Sequence, residues 1–374
     1  MKAAFISDLH ANLRLPQARL DAGGVSSDRL RDVIAVMEQC AVHCSSNGIK
    51  LVFIPGDLFD HKHPDGATLV AVSRQLHRMA SEHGLEVYIL PGNHDAVDRD
   101  GKLYTLQFYG ELNVPGIRVM GHEVMEITEG LRVHAMPWLP DERAAKRIHA
   151  LSLCTDKSGR DILLFHQTMK GAIADNGHES SHGLVGVTRA FDLAISGHFH
   201  HPQHHDWGMY LGSPLHIRFS DAADDRGFWT VNLGSKKLVP VMVPTTFPRF
   251  GQDNVRLDDG DELDELVNIE ESASGLAYLK LRIEGPATML ERAKPTYMDW
   301  KGRTEALGLR QLVVELVPDR VTRSRMDVPA SFTFSAMVDR YVEAAAAPGL
   351  DPATLRRIGA EAVEAASTHT KTHS

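Results

Sequence analysis

The chain has few cysteines, no surplus of positive charge and no long apolar run. Its 374 residues contain three cysteines, Cys40, Cys44 and Cys154, so any disulfide leaves one thiol over. A disulfide-built secreted scaffold is therefore excluded, and a reducing, cytoplasmic setting is expected. No apolar stretch nears the roughly 18 residues of a membrane span, so no membrane association is expected. The opening MKAAFISDLH reaches charged residues too soon for a secretory leader. Lys and Arg number 40 against 49 Asp and Glu, a net charge of −9. A globally basic nucleic-acid-binding surface is thereby excluded. Chemistry on nucleic acid would need local basic patches, bound cations or a partner's surface. Cys40, His43 and Cys44 are spaced as zinc ligands could be. Yet Leu30, Val33, Ile34, Met37, Ala41 and Cys44 trace one apolar helical face, which makes the cysteines core residues.

What is present is an alternation of strand and helix over about the first 200 residues. The pattern predicts strands at Ala3–Ser7, Leu51–Pro55, Glu86–Pro91, Asp161–Phe165 and Phe191–Ser196. Helices are expected at Asp28–Ser46, with Asp28 as N-cap, at Thr68–Glu82 and at Asp141–Leu153. Shorter alternating runs over Arg118–Ala135 and Met209–Val243 read as antiparallel strands. The fold class is α/β, a layered sandwich with helices outside. Near Pro244–Phe250 the character changes. Arg256–Leu266 is acidic and reads as a solvated loop or helix. Gly275–Gly285 and Arg310–Pro318 are strands flanking a helical piece, which makes a small α+β unit. Two helices close the chain, Phe332–Ala347 and Asp351–Ser367, the first with an apolar stripe of Phe334, Met337, Val338, Tyr341 and Val342. The expected division is residues 1–245, 246–325 and 326–374.

Histidine is the residue in surplus, 21 in all. The stretch ISGHFHHPQ (Ile195–Gln203) packs three of them into four residues after an apolar run. Side chains alternate along an extended chain, so His198 and His200 share a direction that Phe199 opposes. A solvated histidine-rich loop would give the same local string. Its neighbours in the sequence decide against that. SDLH follows the first strand and brings Asp8 and His10; GDLFD follows the second with Asp57 and Asp60. GNHD follows the third with Asn93, His94 and Asp95; FHQT brings His166, and GHFH brings His198 and His200. Ligands of α/β sheets bind beyond the carboxyl ends of the strands, and here five successive strands end in oxygen or imidazole donors. Mixed nitrogen and oxygen ligation suits manganese, iron or zinc. A pair of such ions needs a bridging carboxylate, and a hydroxide between them is a nucleophile at neutral pH. Gly56, Gly92 and Gly197 allow sharp turns at these strand ends.

This ordered set, D-x-H, G-D, G-N-H, H and G-H-x-H, resembles the calcineurin-like metallophosphoesterases. GDLFD, LPGNHD and LGSPLHIRFSDAADDRGFW (Leu211–Trp229) look most like their SbcD-type DNA repair nucleases. The resemblance covers about the first 230 residues. It implies an α/β-β-α metallophosphoesterase sandwich with a small capping domain and C-terminal helices. It also implies a two-metal DNA phosphodiesterase, a 3′–5′ exonuclease on duplex ends with single-strand endonuclease activity, acting in DNA repair and recombination near the nucleoid. One ion, most simply manganese, would be held by Asp8, His10, Asp57 and His200. The other would be held by Asp57, Asn93, His166 and His198, with Asp57 bridging. His94 would stabilise the transition state or protonate the leaving oxygen, with Asp95 orienting it. Asp60 stands where some members carry a histidine and others an aspartate. The cap, about Phe247–Pro318, would bind DNA, and the terminal helices would dock an SbcC-type coiled-coil ATPase. A homodimer through roughly Thr68–Glu82 and Leu103–Leu112 is implied as well. His201, His204 and His205 match no motif and read as surface or supporting residues; His178 and His182 read as solvated. Arg320, Arg323 and Arg325 form a small basic cluster that reads as a solvated linker. Two other functions stay open: a phosphoesterase for a small diester or nucleotide, and a scaffold without activity. GDLFDHK and GNHDAV depart from the protein-phosphatase pattern, and the full ligand set opposes a scaffold.

Overall fold

Short β-branched and aromatic runs broken by amphipathic helices build facing sheets. The computed structural model describes residues 1–155, 160–185, 190–222, 225–235 and 237–319, with 354 and 357. In chain order its elements are β1 (Lys2–Phe5), α1 (Asp28–Ser46), β2 (Leu51–Pro55), α2 (Gly66–Ser81), β3 (Glu86–Leu90), α3 (Gln107–Glu111), β4 (Ile117–Val119), β5 (Val124–Thr128) and β6 (Leu131–Met136). They continue as α4 (Asp141–Ser152), β7 (Arg160–His166), β8 (Leu193–Gly197), β9 (Gln203–His205), β10 (Gly208–Tyr210), β11 (Gly227–Asn232) and β12 (Pro240–Pro244). The last set is β13 (Phe250–Arg256), α5 (Leu263–Leu266), α6 (Ile269–Ala273), β14 (Tyr278–Gly285), α7 (Ala287–Arg292), α8 (Lys294–Gly302) and β15 (Gln311–Pro318).

One sheet has the order β12-β11-β1-β2-β3-β4 and the other β5-β6-β7-β8-β10-β9. The central strands β1 to β4 are parallel, as are β6, β7 and β8. The run expected to be antiparallel around residues 118–135 is so only in part. β4 pairs parallel with β3, and only β5 and β6 form a hairpin. Alternation along β2 explains the layering. Leu51 and Phe53 enter the core between the sheets with Phe5, Leu164 and Ile195, whereas Val52 and Ile54 meet α1 and α2 on the outer face. On the far side α4 packs Ala144, Ile148 and Leu151 against the second sheet. The result is the expected helix–sheet–sheet–helix sandwich.

Local signals account for the helix ends. Ser27, not Asp28, caps α1, its hydroxyl accepting from the Leu30 N–H, while the Asp28 carboxylate accepts from Arg19 and Arg29. Asp65 caps α2 through the Thr68 N–H, which starts that helix earlier than expected. Cys40 and Cys44 lie buried on the core face of α1; contact with Cys44 and burial push the Cys40 thiol well above its ordinary value.

Residues 1–318 form one compact unit, and residues 319–374 another. Within the first unit, β13, β14 and β15 pair all in parallel, crossing over through α5 and α6 and then α7 and α8. The small unit is thus itself an α/β layer rather than α+β, because FGQDNVR is a strand. Its alternation is hard to see since only Phe250 is fully buried, and the partly buried face carries Gly251 and Asp253 beside Val255. Its core gathers Leu257, Leu279, Leu281, Ile283, Tyr297 and Trp300. The terminal helices expected at Phe332–Ala347 and Asp351–Ser367, with the stripe Phe334, Met337, Val338, Tyr341 and Val342, lie outside the described residues apart from 354 and 357. Arg320, Arg323 and Arg325 also lie outside them. Among the described residues no helix is long and apolar enough to cross a membrane.

One buried cation joins the small sheet to the sandwich. Arg29, on α1, is wholly buried and donates to the His216 carbonyl at 2.5 Å. Its guanidinium lies 4.9 Å from the Phe250 ring and 5.5 Å from that of Tyr278. Beside it Arg310 makes a two-pronged pair with Asp32, at 2.9 and 3.2 Å. Arg29→Met keeps the volume but removes the donor to the His216 carbonyl and the charge beside Asp32, at a cost of about 1–3 kcal/mol. A urea titration should show a lower midpoint with an unchanged slope; an unchanged midpoint would mean the contact contributes nothing.

Candidate metal centre

All seven expected ligands converge where the carboxyl ends of β1, β2 and β3 meet those of β7 and β8. The loop after β1 runs beside the loop after β2, with Asp8, His10 and Ala11 donating to the carbonyls of Gly56, Asp57 and Leu58. Six non-glycine residues among those described have a left-handed backbone, and four of them are expected ligands: Asp8 (φ 53°), His10 (47°), Asp57 (51°) and His198 (102°). Such strain persists only where the surroundings over-determine it, and it gathers at functional sites. The glycines serve closeness as much as turning. Gly56 does turn (φ 104°), and a Cβ there would also collide with the His166 ring. At Gly92 a Cβ would strike the Asp57 carboxylate, and at Gly197 the Ser7 hydroxyl and Pro55 carbonyl.

The donors fall into overlapping groups. Asp8, His10 and Asp57 form one, Asp57, His166 and His198 another, each with its ligand atoms within 4.8 Å of one another. Asp57 belongs to both. Its Oδ2 lies 3.2 Å from His166 Nε2 and 3.7 Å from His10 Nε2. Asn93 Oδ1 stands 3.0 Å from His166 Nε2 and 2.8 Å from His198 Nδ1. His200 Nε2 lies 3.0 Å from His10 Nε2. Asp8 Oδ1 accepts the His198 N–H at 2.8 Å, while its Oδ2 is buried with no hydrogen-bond partner. A carboxylate oxygen orphaned among imidazoles is the donor set a divalent cation satisfies, so these residues fit the expected ions.

Burial sets the charges. Asp8 is raised to about 6 by burial and the neighbouring Asp57 charge, against the pull of His166. Burial also pushes Asp57 upward, but the imidazoles of His166, His10 and His94 outweigh it and hold the carboxyl well below its usual range. His166 is the counterpart: burial favours its neutral form, yet Asp57 wins and lifts it to about 9. His198 falls to about 3 through burial and the nearby His166 charge, and His200 falls well below its ordinary value through burial and His10. Without cations the centre thus holds an Asp57–His166 ion pair beside the neutral rings of His198 and His200, while the neighbouring Asp60, Asp57 and Asp8 carboxylates raise His10 against its burial.

His94 and its neighbours divide the supporting work differently from expectation. The His94 N–H donates to Asp57 Oδ1 at 2.9 Å, and its Nδ1 lies 2.5 Å from the Asp60 carbonyl. With Nδ1 engaged, Nε2 is the nitrogen available to a substrate oxygen. Asp95 was the expected orienting group, but its oxygens accept the N–H groups of Phe59 (3.2 Å) and Gly92 (2.9 Å). It ties two ligand-bearing loops together and reaches His94 only through them. Burial, reinforced by Asp57, raises it to about 7. Asp60 instead supports two rings: its carbonyl holds His94, and its Oδ1 lies 3.3 Å from His10 Nδ1. Although burial opposes ionisation, that His10 contact brings Asp60 down to about 2.

The donors open on a cleft of about 500 Å³ that Asn176, Arg218 and Ser220 also line. His178, His182 and His204 are exposed, and His201 and His205 are partly buried. Sequence reasoning missed Thr168, Asp175, Arg218, Asp221 and Arg226. Asp221 accepts the N–H groups of Ile217 and Arg218, and buried Arg226 donates to the His200 carbonyl. Thr168 closes the FHQT motif and Arg218, Asp221 and Arg226 fall within the Leu211–Trp229 stretch, whereas Asp175 lies in no motif.

The sequence model of the calcineurin-like phosphoesterases matches residues 1–202. The chain belongs to that family. Its members are metal-dependent hydrolases with a dinuclear site, and the Asp and His groups above are able to hold metal. A curated relative, the DNA double-strand break repair protein Mre11 of Saccharolobus solfataricus, is 27% identical over 173 residues, 46% of this chain and 44% of the relative. The match thus spans under half of that protein's length. Among solved structures, a dimetal phosphatase from Danio rerio aligns at 12% identity over 65% of this chain and 98% of its own, TM-score 0.41. An archaeal phosphodiesterase aligns at 11% identity over 65% and 100%, TM-score 0.32. Likenesses this distant carry no argument about activity.

In this phosphoesterase, metal ligation competes with protons. His166 holds its proton up to about 9, and Asp8 takes one up near 6. Ligation needs the unprotonated forms. Manganese uptake by chelator-treated protein near neutral pH should therefore expel about one proton per chain, and affinity should fall as the solution is acidified. Calorimetry in buffers of different ionisation enthalpy reads the proton directly. Heats that do not vary with the buffer would contradict the Asp57–His166 assignment.

Proposed function

We propose that this chain is a two-metal DNA phosphodiesterase, the nuclease subunit of an Mre11- or SbcD-like repair complex. The observation that carries the reading is the convergence of Asp8, His10, Asp57, Asn93, His166, His198 and His200 on one shared carboxylate beside His94. Likeness to a protein named for DNA double-strand break repair supports the choice of substrate. Asp8, His10, Asp57 and His200 hold one cation; Asp57, Asn93, His166 and His198 hold the other. Two divalent cations, manganese in this reading, supply electrophilic activation of the phosphate and of water when bound. The chain's own part is to place the ester. Arg218, exposed at the cleft rim, meets a flanking phosphate oxygen. His94, fixed by the Asp60 carbonyl, presents Nε2 to the non-bridging or leaving oxygen.

The rest of the reading concerns assembly. The activity is 3′–5′ exonucleolytic on duplex ends and endonucleolytic on single strands. Residues 246–325 cap the site and bind DNA, which a chain of net charge −9 needs local cations or a partner to do. Residues 326–374 dock the SbcC-type ATPase. Exposed Val70, Leu103 and Leu112 support a homodimer through α2 and the residues around α3. The workplace is intracellular, at the nucleoid.

The deciding experiment is release of nucleotides from end-labelled linear duplex DNA with manganese. His94→Ala should lower kcat by about 10²–10⁴ with manganese stoichiometry unchanged. Release from a small diester but not from DNA would move the substrate to that class. Equal release by wild type and variant would remove His94 from the chemistry. Arg218→Ala should raise KM about tenfold with kcat nearly intact, since it removes a charge-assisted contact to a non-reacting phosphate.

A further inference from the structure

His198 and His200 each turn one ring nitrogen toward the metal cluster and the other toward a single loop, the one that follows β7. Residues 167–184 of that loop are held by bonds to the sheet and to one another. The Tyr210 hydroxyl accepts the Met169 N–H at 2.7 Å and donates to the Gln167 carbonyl at 2.9 Å. Gln203 clamps Ile173 from both sides, accepting its N–H at 2.8 Å and donating to its carbonyl at 2.7 Å. Thr168 and Leu184 are bridged by a further backbone bond of 2.9 Å. On this frame Thr168 Oγ1 stands 2.8 Å from His198 Nε2, while the ring's other nitrogen, Nδ1, faces Asn93. Seven residues on, Asp175 bonds the His200 backbone and sets its carboxylate beside the ring. Its Oδ1 accepts the His200 N–H at 2.9 Å, and its Oδ2 lies 3.0 Å from Nδ1, leaving Nε2 toward His10. Asp221 Oδ2, at 3.9 Å from the same Nδ1, is committed to the N–H groups of Ile217 and Arg218.

We infer that Thr168 and Asp175 are the positioning residues that fix which nitrogen of His198 and His200 is offered to metal. The inference rests on the two-metal reading and adds to it a division of labour. A carboxylate 3.0 Å from Nδ1 favours a proton on that nitrogen by charge, and the bond to the His200 N–H holds the ring so that Nε2 stays toward His10. A hydroxyl both donates and accepts. Thr168 Oγ1 therefore accepts from Nε2–H when Nδ1 of His198 is the ligand, and donates its O–H to Nε2 when Nδ1–H donates to Asn93. Because His198 and His200 belong to different ions, one loop governs both sites through separate residues. His166, which opens the loop, is itself a ligand of the second ion.

The test uses the full chain stripped by chelator and titrated with manganese, read by calorimetry and by electron paramagnetic resonance. Wild type should take two ions per chain and show the spectrum of a coupled pair; a single ion, or none, would defeat the two-metal reading and this inference with it. With two ions in wild type, Asp175→Ala should weaken one of the two sites about 10–100-fold and give an isolated-ion spectrum. Thr168→Val, which keeps the shape and loses the hydroxyl, should weaken the other site, and Thr168→Ser should restore it. Asp175→Asn should recover part of the loss, because its amide oxygen still accepts the His200 N–H. Thermal unfolding in chelator should match wild type for Thr168→Val and Thr168→Ser, which separates lost positioning from lost folding. Two ions bound at wild-type affinity with the coupled spectrum in both Asp175→Ala and Thr168→Val would overturn the inference.

Discussion

The contact between Asp57 and His166 is the constraint around which the molecule is arranged. It joins the end of β2 in one sheet to the end of β7 in the other, 3.2 Å apart and wholly buried. Opposite charges taken out of water repay their desolvation only when the geometry is close and the remaining polar atoms are satisfied. Here His166 Nδ1 meets the Pro55 carbonyl at 2.8 Å, and Asp57 Oδ1 accepts the His94 N–H. Nothing larger than hydrogen fits at Gly56, Gly92 or Gly197 without entering that contact or the backbone behind it. The left-handed backbone at Asp57 follows from the same demand. The carboxylate must leave the strand end sharply to reach across the gap between the sheets. The apolar layer between the sheets, Phe5 and Phe53 against Leu164 and Ile195, holds the two edges at the separation that makes this possible.

Much of this was legible in the sequence because the ligands follow runs that cannot be anything but strands. LVFIP is five buried residues long, so GD after it must emerge at the sheet's end. The same holds for DILLF before His166 and FDLAIS before GHFH. Strand length converts position in sequence into position in space, and a parallel sheet gathers the ends on one side. What the pattern could not give depends on loops and on tertiary contact. Thr168 and Asp175 lie in a segment with no periodicity. The family resemblance gives Asp95 to His94, while its oxygens are claimed by the backbone of Phe59 and Gly92. Ser27 displaced Asp28 as the cap of α1 by one residue, a distance below what propensity resolves. β13 was lost among polar residues because only Phe250 of the strand is buried.

The carboxylates beside the centre show how environment assigns roles to one chemical group. Asp60 is partly open to solvent, contacts His10 and stays ionised down to about 2. Asp95, sealed beneath the loops, is lifted to about 7 by burial and by the Asp57 charge. Backbone N–H groups satisfy it in either state of charge. Had Asp95 ionised as readily as Asp60, the centre would carry one more buried negative charge beside Asp57 with no imidazole of its own. The pair is thus split into an electrostatic support and a structural tie.

The joint to the small sheet reaches the same centre by contiguous contacts. Arg29 holds the His216 carbonyl, and the next residues, Ile217 and Arg218, give their N–H groups to Asp221. Arg226 bonds both the Asp221 carbonyl and the His200 carbonyl. The Phe250 N–H, at the head of the small sheet, donates to His216 Nδ1 at 3.1 Å. Residues 216–222 and 226 are therefore gripped at one end by the small sheet and at the other by His200. Packed interiors move between discrete arrangements rather than deforming smoothly. A shift of the small sheet large enough to break the Phe250–His216 bond would pull on the segment that steadies His200. The small sheet and His200 are thereby joined through a chain of hydrogen bonds over His216, Asp221 and Arg226, with no expected ligand among the links.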